Sequence, residues 1–236
     1  MITSCPLPQN EAERLNTLVS LQPEFTPLDG QFSAGANTPP KDSDDGTGMV
    51  DFKGEKRSNA THQSTTDPES RLMRKGKGQP AKLSYGGHVL MENRNGLCVD
   101  ILITESTQAE HRAARQLLTR ARRRHIHPKT LGADKGYHVK EFVGHLREHA
   151  VRPHIARIKD RKTPGLDGRT TRTEGYRVSQ RKRKRVEEIF GWLKTVGGLR
   201  KTRFIGQAKT QMAAFISGAA YNLLRIAKLS VSEVKA

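Results

Sequence analysis

The residues of this sequence that could do chemistry are most concentrated in RKRKRVEEIFGWLK, residues 181 to 194, where five consecutive cations precede two glutamates. At helical spacing Arg183, Glu187 and Lys194 stand at i−4, i and i+7, so they share one face of a helix. One interpretation is a surface ion-pair ladder, which stabilises a helix only weakly. The other is that the glutamate binds a metal ion while the cations bind an anionic substrate.

A second acidic residue, Asp134, ends the segment KTLGAD, which predicts a short strand. Phosphodiester chemistry can be carried by two divalent metal ions roughly 4 Å apart, which activate the attacking oxygen and stabilise the leaving oxygen. Mg²⁺ or Mn²⁺ prefers carboxylate oxygens. A strand end and a helix packed against it can bring two carboxylates to one ion, so Asp134 and Glu187 are the candidate catalytic and metal-binding pair. The alternative for Asp134 is an ordinary turn aspartate.

Cations around this pair are expected to hold the phosphate backbone of DNA, because phosphate contacts position a nucleic-acid substrate. The same helix must also dock on the protein, since its apolar residues at i, i+3, i+4 and i+7 predict a core-facing stripe: Val186, Ile189, Phe190 and Leu193. The candidate DNA-binding residues are Arg181, Lys182, Arg183, Lys184, Arg185, Lys194, Arg200, Lys201 and Arg203.

Charge also points to a polyanionic partner, because the 236 residues carry a formal net charge of +18. The positive excess lies after residue 50, since residues 1–50 hold two basic residues against seven acidic ones. A membrane is the rival polyanion, but no run approaches the roughly 20 apolar residues of a membrane span. No signal peptide is visible, so a cytoplasmic location is expected.

Cysteine and histidine usage gives little support to a structural metal site. Cys5 and Cys98 have no CxxC spacing, which argues against structural zinc or a disulfide framework. His145, His149 and His154 lack a partner motif such as HExxH. We interpret these histidines as solvated or phosphate-facing.

The texture of the chain changes near residue 70. Residues 1–70 are rich in Pro, Gly, Ser, Thr, Asn and Asp and are expected to form a poorly ordered segment with little packed structure. KLSYGGHVLME and LCVDILIT, joined across NRNG, predict a β-hairpin. Thr107 followed by Glu110 is a capping-box signal for a helix that continues through Ala113, Leu117 and Ala121.

The remaining elements predict an α/β sheet with flanking helices. KTLGAD is followed by a helix with its apolar stripe at Val139, Phe142, Val143 and Leu146, and VRPHIAR predicts another strand. Residues 160–177 lack periodicity and predict a long loop. The last helix has an apolar stripe that predicts burial: Met212, Phe215, Ile216, Ala219, Leu223 and Ile226.

Several segments together resemble bacterial insertion-sequence transposases of the DDE type, in the insertion-sequence-five group. They are STTDPESRL, GHVLMENRNGL, LGADKGYH, DGRTTRTEGYRVSQRKRKRVEEIFGWLKTVGGLRKTR and AAYNLLR, within roughly residues 50–229. The resemblance implies an RNase H-like catalytic domain over residues 71–236. The family's second Asp, in an A-D-K-G-Y segment, falls on Asp134. Its pattern RxxxExxxxxxK falls on Arg183, Glu187 and Lys194, with Glu188 as a neighbouring alternative that breaks the spacing.

The activity implied by this resemblance is two-metal hydrolysis that frees a 3′-OH at the end of a mobile element, followed by attack of that hydroxyl on target DNA. The implied cofactor is Mg²⁺ or Mn²⁺. The implied partners are the terminal inverted repeats of the element and the target DNA, with room for a homodimer on DNA. The expected location is then the cytoplasm, at the nucleoid.

The family's first catalytic Asp, in a V-D-G-T segment that closes the central strand, has no clear counterpart. The nearest match is Asp29, between Leu28 and Gly30, but Pro23 and Pro27 argue against a central strand just before it. Asp29 is therefore either the first catalytic carboxylate or an aspartate of a surface turn. Asp67 matches a family segment outside the catalytic triad and is expected to be a turn or cap residue. The alternative to an active enzyme is a truncated or degenerate copy that only binds DNA.

Overall fold

A computed structural model of the chain describes residues 16–27, 32–33, 51–52, 55–56, 58–60, 62–74 and 80–234. The predicted α/β class is confirmed, since a mixed sheet packs against helices. In chain order the elements are β1 (Asn16–Pro27), β2 (Phe32–Ser33), β3 (Asp51–Phe52), β4 (Glu55–Lys56), β5 (Gln63–Ser64), β6 (Arg71–Arg74), β7 (Ala81–Glu92), β8 (Cys98–Glu105), α1 (Glu110–Arg123), β9 (Thr130–Ala133), a 3₁₀ turn (Lys135–Tyr137), α2 (Lys140–Glu148), β10 (Arg152–Ile155), α3 (Gly168–Thr171), α4 (Glu174–Lys182), α5 (Arg185–Thr195), β11 (Lys201–Thr202) and α6 (Gln207–Val234).

The main sheet contains five strands in the order β10-β9-β1-β7-β8, with β6 and β11 added at its margins. β9 and β10 run parallel to each other, and β9 runs parallel to β1. β7 runs antiparallel to both β1 and β8. The carboxyl ends of β1, β9 and β10 therefore lie toward one edge of the sheet, which is where ligands gather in α/β proteins.

The predicted β-hairpin is confirmed, because β7 and β8 pair antiparallel from Tyr85 opposite Glu105 to Met91 opposite Cys98. Its turn closes with a hydrogen bond from the Glu92 N–H to the Leu97 carbonyl at 2.8 Å. Gly96 has a φ of +73° in this turn, a conformation in which glycine carries no steric penalty.

The central position belongs to β1, so the expectation that Pro23 and Pro27 exclude a central strand is wrong. β1 pairs with β7 from Thr17 to Phe25, whereas β9 reaches only Asn16–Leu18. The pairing with β7 shifts register between Pro23 and Phe25, and such irregularities are where a strand tolerates proline. β1 lies within residues 1–70, where the expectation of little packed structure stays a prediction.

The helix predicted after the hairpin is confirmed, but the predicted capping box is wrong. α1 begins at Glu110, and Ala109 is its N-cap in an extended conformation with no side-chain cap. Thr107 therefore lies outside the helix, and Glu110 is its first residue. The apolar positions that were expected to face the core are fully buried, namely Ala113, Leu117 and Ala121.

The elements predicted from KTLGAD onward are confirmed as β9, α2 and β10. Residues 160–177 are not one long loop, since α3 and the start of α4 lie within them. Each of these helices has a side-chain N-cap: the Asp167 carboxylate accepts the Arg169 N–H, and the Thr173 hydroxyl accepts the Tyr176 N–H. Both helices are short, so their caps rather than an apolar stripe define them.

The predicted buried stripe of α6 is wrong, because its large members face outward. Met212 is 59% exposed, Ile216 is 64% exposed and Leu223 is 70% exposed. The helix instead approaches β8 through smaller residues, with Ala214 fully buried and Gly218 so close that a Cβ there would lie 2.6 Å from Ile101 Cδ1. Close approach by small residues replaces the expected apolar contact.

Side-chain amides of α6 bind the free edge of β8. Gln211 accepts the Ile103 N–H at 2.8 Å and donates to the Ile101 carbonyl at 3.0 Å. Asn222 accepts the Cys98 N–H at 2.7 Å and donates to the Cys98 carbonyl at 2.8 Å. These two amides satisfy edge groups that would otherwise be open to strand pairing, so α6 is fixed by hydrogen bonds as well as by packing.

The core consists of one apolar cluster on each face of the sheet. The first contains buried residues of α1, α2, β9 and β10, including Leu117, Phe142 and Ile155. The second joins β7 and β8 to α5 and α6, and it contains the stripe predicted for the arginine-rich helix: Val186, Ile189, Phe190 and Leu193. That part of the prediction is confirmed, and it fixes how α5 is rotated against the sheet.

His88→Asn is expected to weaken the dependence of stability on acid pH. His88 is buried, and burial lowers the pKa of its imidazole from 6.5 to about 3. The unfolded chain therefore takes up a proton at this residue below about pH 6.5 that the folded chain takes up only near pH 3, so stability falls as pH falls through that window. The part due to His88 is roughly 3 kcal/mol between pH 6.5 and pH 4.

Guanidinium unfolding at a series of pH values measures this effect. In His88→Asn the slope of the unfolding free energy against pH should decrease without vanishing, because burial and nearby arginines also lower the pKa of His154 to about 4. His125→Asn is the control, since His125 is exposed with a φ of +60°, which asparagine tolerates. An unchanged slope in His88→Asn would contradict the assignment.

Candidate metal and nucleic-acid site

Asp134 lies at the carboxyl end of β9, as the sequence predicted. It has an extended backbone and is the N-cap of the 3₁₀ turn, where its carbonyl accepts the Tyr137 N–H at 3.1 Å. Its side chain does not cap that turn and is half exposed. The carboxylate is therefore available to a cation at the strand-end edge of the sheet.

The cation that contacts Asp134 is Arg183, whose Nη1 pairs with Asp134 Oδ1. Arg183 is held by Gln180, which accepts from Arg183 Nε at 3.0 Å and donates to the His154 carbonyl at 2.6 Å. This chain of contacts runs from β10 through Gln180 to Arg183 and then to the end of β9. Arg183, one of the predicted cations, thus contacts Asp134, the first of the two predicted carboxylates.

The arginine-rich segment does not form the single helix that the sequence predicted. α4 ends at Lys182 and α5 begins at Arg185, with Arg183 and Lys184 between them in helical backbone conformations. At the junction the Val186 N–H donates to the Arg183 carbonyl, three residues back, so the turn that crosses the junction is tighter than an α-helical turn. The break places Arg183 at the end of one helix rather than in the middle of a longer one.

Glu187 lies in the first turn of α5, four residues after Arg183, and is exposed. Its neighbour Glu188 is exposed as well, so burial does not distinguish the two. Within the described parts of the chain, neither Asp134 nor Glu187 belongs to a group of three acidic, histidine or cysteine ligands within 4.8 Å of one another. Arg183 contacts Asp134 and lies four residues before Glu187, but no contact joins it to the Glu187 carboxylate among the described residues.

The first catalytic carboxylate is not supplied by β1. The register pairs Leu18 with Gly132, so Ser20 stands level with Asp134. The sequence of β1, NTLVSLQPEFTP, contains no aspartate. Asp29 lies outside the described residues. β1 ends at Pro27, which lies roughly 23 Å of extended chain beyond Ser20.

Glu110 was predicted only as a capping residue. Its carboxylate lies beside the turn that follows Asp134. A Cβ on Gly136 would lie 2.8 Å from Glu110 Oε2, so this carboxylate lies directly against the turn after Asp134. Burial raises the pKa of Glu110. Carboxylate oxygens at the carboxyl end of β9 fit a hard divalent ion, for which Asp134 and Glu187 are candidate donors, and Glu110 lies beside the turn that follows Asp134. No spacing in the sequence pointed to Glu110, because its contact depends on how α1 crosses β9.

The predicted DNA-binding residues are divided between two places. The arginines of the α4–α5 junction contact different partners. Arg183 pairs with Asp134, Arg185 donates to the Arg94 carbonyl at 3.1 Å and Arg181 pairs with Glu174 at 3.8 Å. Lys184 is exposed, and Lys182 and Lys194 are half buried. The later group, Arg200, Lys201 and Arg203, is exposed at β11, which pairs with the last residues of β1.

Asp67 does more than the turn that was predicted. The turn is present, because its carbonyl accepts the Ser70 N–H at 3.1 Å. Its carboxylate is buried and accepts the Tyr85 hydroxyl at 2.7 Å. Asp67 is thus a structural residue that fastens its segment to β7.

Comparison with known protein families gives one match: the profile of the transposase DDE domain matches residues 27–223 of the chain. A search among curated proteins found no match. The matched region includes Asp134, Arg183 and Glu187.

Arg183→Gln is expected to strengthen the binding of Mn²⁺ to the Asp134 edge. The guanidinium and a metal ion compete for the same carboxylate oxygen, so its removal leaves Asp134 free for the metal. Stability should change by less than about 1 kcal/mol, because both partners are partly exposed. Electron paramagnetic resonance of free Mn²⁺ measures the affinity, and Arg181→Gln is the control. Unchanged or weaker Mn²⁺ binding in Arg183→Gln would contradict this competition.

Proposed function

Because this chain belongs to the family of transposase DDE domains, we propose that it is the transposase of a bacterial insertion sequence of the insertion-sequence-five group. The proposed activity is metal-dependent cleavage of DNA strands followed by their transfer to target DNA. The observation that carries the proposal is the Arg183–Asp134 contact, which joins the strand-end carboxylate to the α4–α5 junction, four residues before Glu187.

An RNase H-like fold is the proposed architecture of the catalytic domain, which we assign to residues 71–236 together with β1. The strand order supports this, because an antiparallel set, β8-β7-β1, continues into the parallel strands β9 and β10. The crossover through α1 carries the chain from β8 to β9 on the far side of β1. In this arrangement β1 runs parallel to β9, with Ser20 of β1 at the level of Asp134.

Asp134 and Glu187 are the residues proposed to hold Mg²⁺ or Mn²⁺. When bound, such an ion activates the attacking oxygen and stabilises the leaving oxygen of the phosphodiester. Arg183 neutralises Asp134 in the structure described here and is positioned to exchange that carboxylate for a DNA phosphate. Lys184, Arg200, Lys201 and Arg203 are exposed and are proposed to hold the DNA backbone.

A second candidate function is DNA binding without cleavage, by a truncated or degenerate copy. The observation that favours it is the absence of aspartate from β1, since the strand beside β9 then offers no partner at the level of Asp134. The positive charge would persist in such a copy, because the net charge of +18 does not depend on the first carboxylate.

The proposed partners are the terminal inverted repeats of the element and its target DNA, and the proposed location is the bacterial cytoplasm at the nucleoid. Within the described residues, no helix is both long and apolar enough to cross a membrane. α6 is the longest helix there, with 28 residues.

Asp134→Asn and Glu187→Gln are each expected to abolish cleavage of a plasmid that carries the DNA flanking the coding sequence. Each removes a negative oxygen donor while preserving side-chain size, so folding and DNA affinity should be retained. Nicking is measured on gels in the presence of Mg²⁺ or Mn²⁺, with Glu188→Gln as the matched control. DNA affinity should fall steeply with salt in all variants, as counterion release requires.

The same experiment separates the two candidate functions. An inactive parent that still binds DNA with steep salt dependence would support the DNA-binding copy. Equal cleavage by the parent and by both substituted proteins would overturn the assignment of Asp134 and Glu187.

A homodimer on DNA is also proposed, with the exposed apolar side of α6 as its contact. Four of the exposed large residues are arranged symmetrically about Ala219, since Phe215 and Leu223 are four positions away and Met212 and Ile226 are seven positions away. In an antiparallel helix pair, residues equidistant from the centre meet, so each of these four side chains would meet another of them. A small residue at the crossing point allows close approach, and an isologous contact of this kind closes at two copies.

Leu223→Glu is expected to convert such a dimer to a monomer, because it places a carboxylate in the apolar contact. Light scattering coupled to size exclusion measures the mass, with and without DNA. Val196→Glu is the control, since Val196 is also 70% exposed but lies outside α6. A parent that stays monomeric in both conditions would rule out this interface.

A further inference from the structure

The end of α2 brings together three side chains, two of them histidines that were predicted to be solvated or phosphate-facing. His145, Glu148 and His149 fall at i, i+3 and i+4, so they share one face of the last turn and its cap. Their candidate ligand atoms all lie within 4.8 Å of one another. Ligands of one tetrahedral ion must converge in this way, because each stands about 2.0–2.2 Å from the metal.

We propose that His145, Glu148 and His149 form a binding site for a divalent transition-metal ion such as Zn²⁺. Two imidazoles and one carboxylate are the donor set of such an ion, whereas Mg²⁺ and Mn²⁺ favour oxygen alone. The site is therefore chemically distinct from the carboxylate edge at Asp134. It does not depend on the proposed transposase activity.

The orientation of His149 supports metal binding. Its Nδ1 lies 2.8 Å from the His145 carbonyl, and since a carbonyl can only accept, Nδ1 carries the hydrogen. Nε2 is then the nitrogen with a free lone pair. Metal-bound histidines commonly donate their other N–H to a backbone carbonyl in this way, which fixes the tautomer and the ring.

The surrounding charges leave His145 able to act as a ligand. Two guanidinium groups, those of Arg115 and Arg122, and two carboxylates, those of Glu141 and Glu148, act on His145. Arg115 is paired with Glu141 at 2.6 Å, and Arg122 donates to the His149 carbonyl at 2.7 Å. A neutral imidazole offers a lone pair, and two carboxylates balance the two guanidinium groups nearby.

The position of the site separates it from the Asp134 edge. α2 leads into the start of β10, so His149 lies toward the amino ends of β9 and β10, whereas Asp134 follows the carboxyl end of β9. β9 alone spans roughly 13 Å between these ends. His149 also lines an open cavity of about 830 Å³ with Arg122, Lys129, Arg147 and Arg152. Water or an anion from this basic cavity is a suitable fourth ligand.

Calorimetric titration of the full chain with Zn²⁺, after removal of any affinity tag, tests this site. The background protein carries Asp134→Asn and Glu187→Gln, which removes the carboxylate edge from the measurement. One equivalent of Zn²⁺ should bind and raise the melting temperature by mass action. Adding His149→Asn or His145→Asn should weaken binding at least about tenfold. Circular dichroism verifies that each variant is folded.

His127→Asn is the matched control, because it removes an exposed histidine from the same cavity without touching the three ligands. Co²⁺ is the spectroscopic probe: nitrogen ligation should give a visible absorption band that Zn²⁺ removes. Failure of Zn²⁺ to bind, or equal binding by the parent and the His145→Asn and His149→Asn proteins, would overturn the proposal.

Discussion

The pairing of β7 along both of its edges is the constraint on which the rest of the structure depends. β7 pairs with β1 on one side and β8 on the other, and its residues from Leu83 to Glu92 are all buried. A one-residue slip of β7 would move each of its side chains to the opposite face and change both pairings at once, so its register is strongly specified. Polar contacts tie further elements to this hairpin and to one another. Asp67 binds the Tyr85 hydroxyl, and the neighbouring Glu69 carboxylate accepts the N–H of Gln207, the first residue of α6.

Much of the positive charge is structural, so composition alone overstates the surface available to DNA. Asp100 is buried on β8 and holds Arg120 at 3.0 Å and Arg124 at 2.8 Å, which fastens α1 to the sheet. Burial raises the pKa of Asp100, and the two arginines oppose that shift. Arg147 similarly donates to the Thr170 hydroxyl at 2.6 Å and ties α2 to α3. Of the predicted DNA-binding residues, Lys184 at the α4–α5 junction and Arg200, Lys201 and Arg203 at β11 are exposed, as is Arg181 in its pair with Glu174.

Local patterns predicted those elements whose apolar residues face a single partner. The hairpin, α2 and the buried stripe of α5 follow from alternation or helical spacing, because each presents one apolar side to the sheet. The prediction for α6 was wrong. Its long apolar residues were assigned to the core, whereas small residues and side-chain amides make its contact with β8. The prediction for β1 was wrong for a different reason. Proline propensity is a local property, whereas the pairing that accommodates Pro23 is made with β7, a segment distant in sequence. Asp134 could be singled out from its strand end, whereas the approach of Glu110 to Gly136 depends on how two distant segments cross.

The Gly136 position shows how tightly the Asp134 edge is built. A side chain there would lie 2.8 Å from Glu110 Oε2, so any larger residue must displace either this carboxylate or the turn that follows Asp134. Burial favours the protonated form of Glu110, and a divalent ion at the same edge would favour the ionised form, because it attracts the negative oxygen. Occupancy of the edge and ionisation of Glu110 must therefore be coupled: each makes the other more favourable. The strand β1 supplies no aspartate at the level of Asp134, so under the proposed binding of a metal ion at Asp134 this coupling would give α1 a direct influence on that ion.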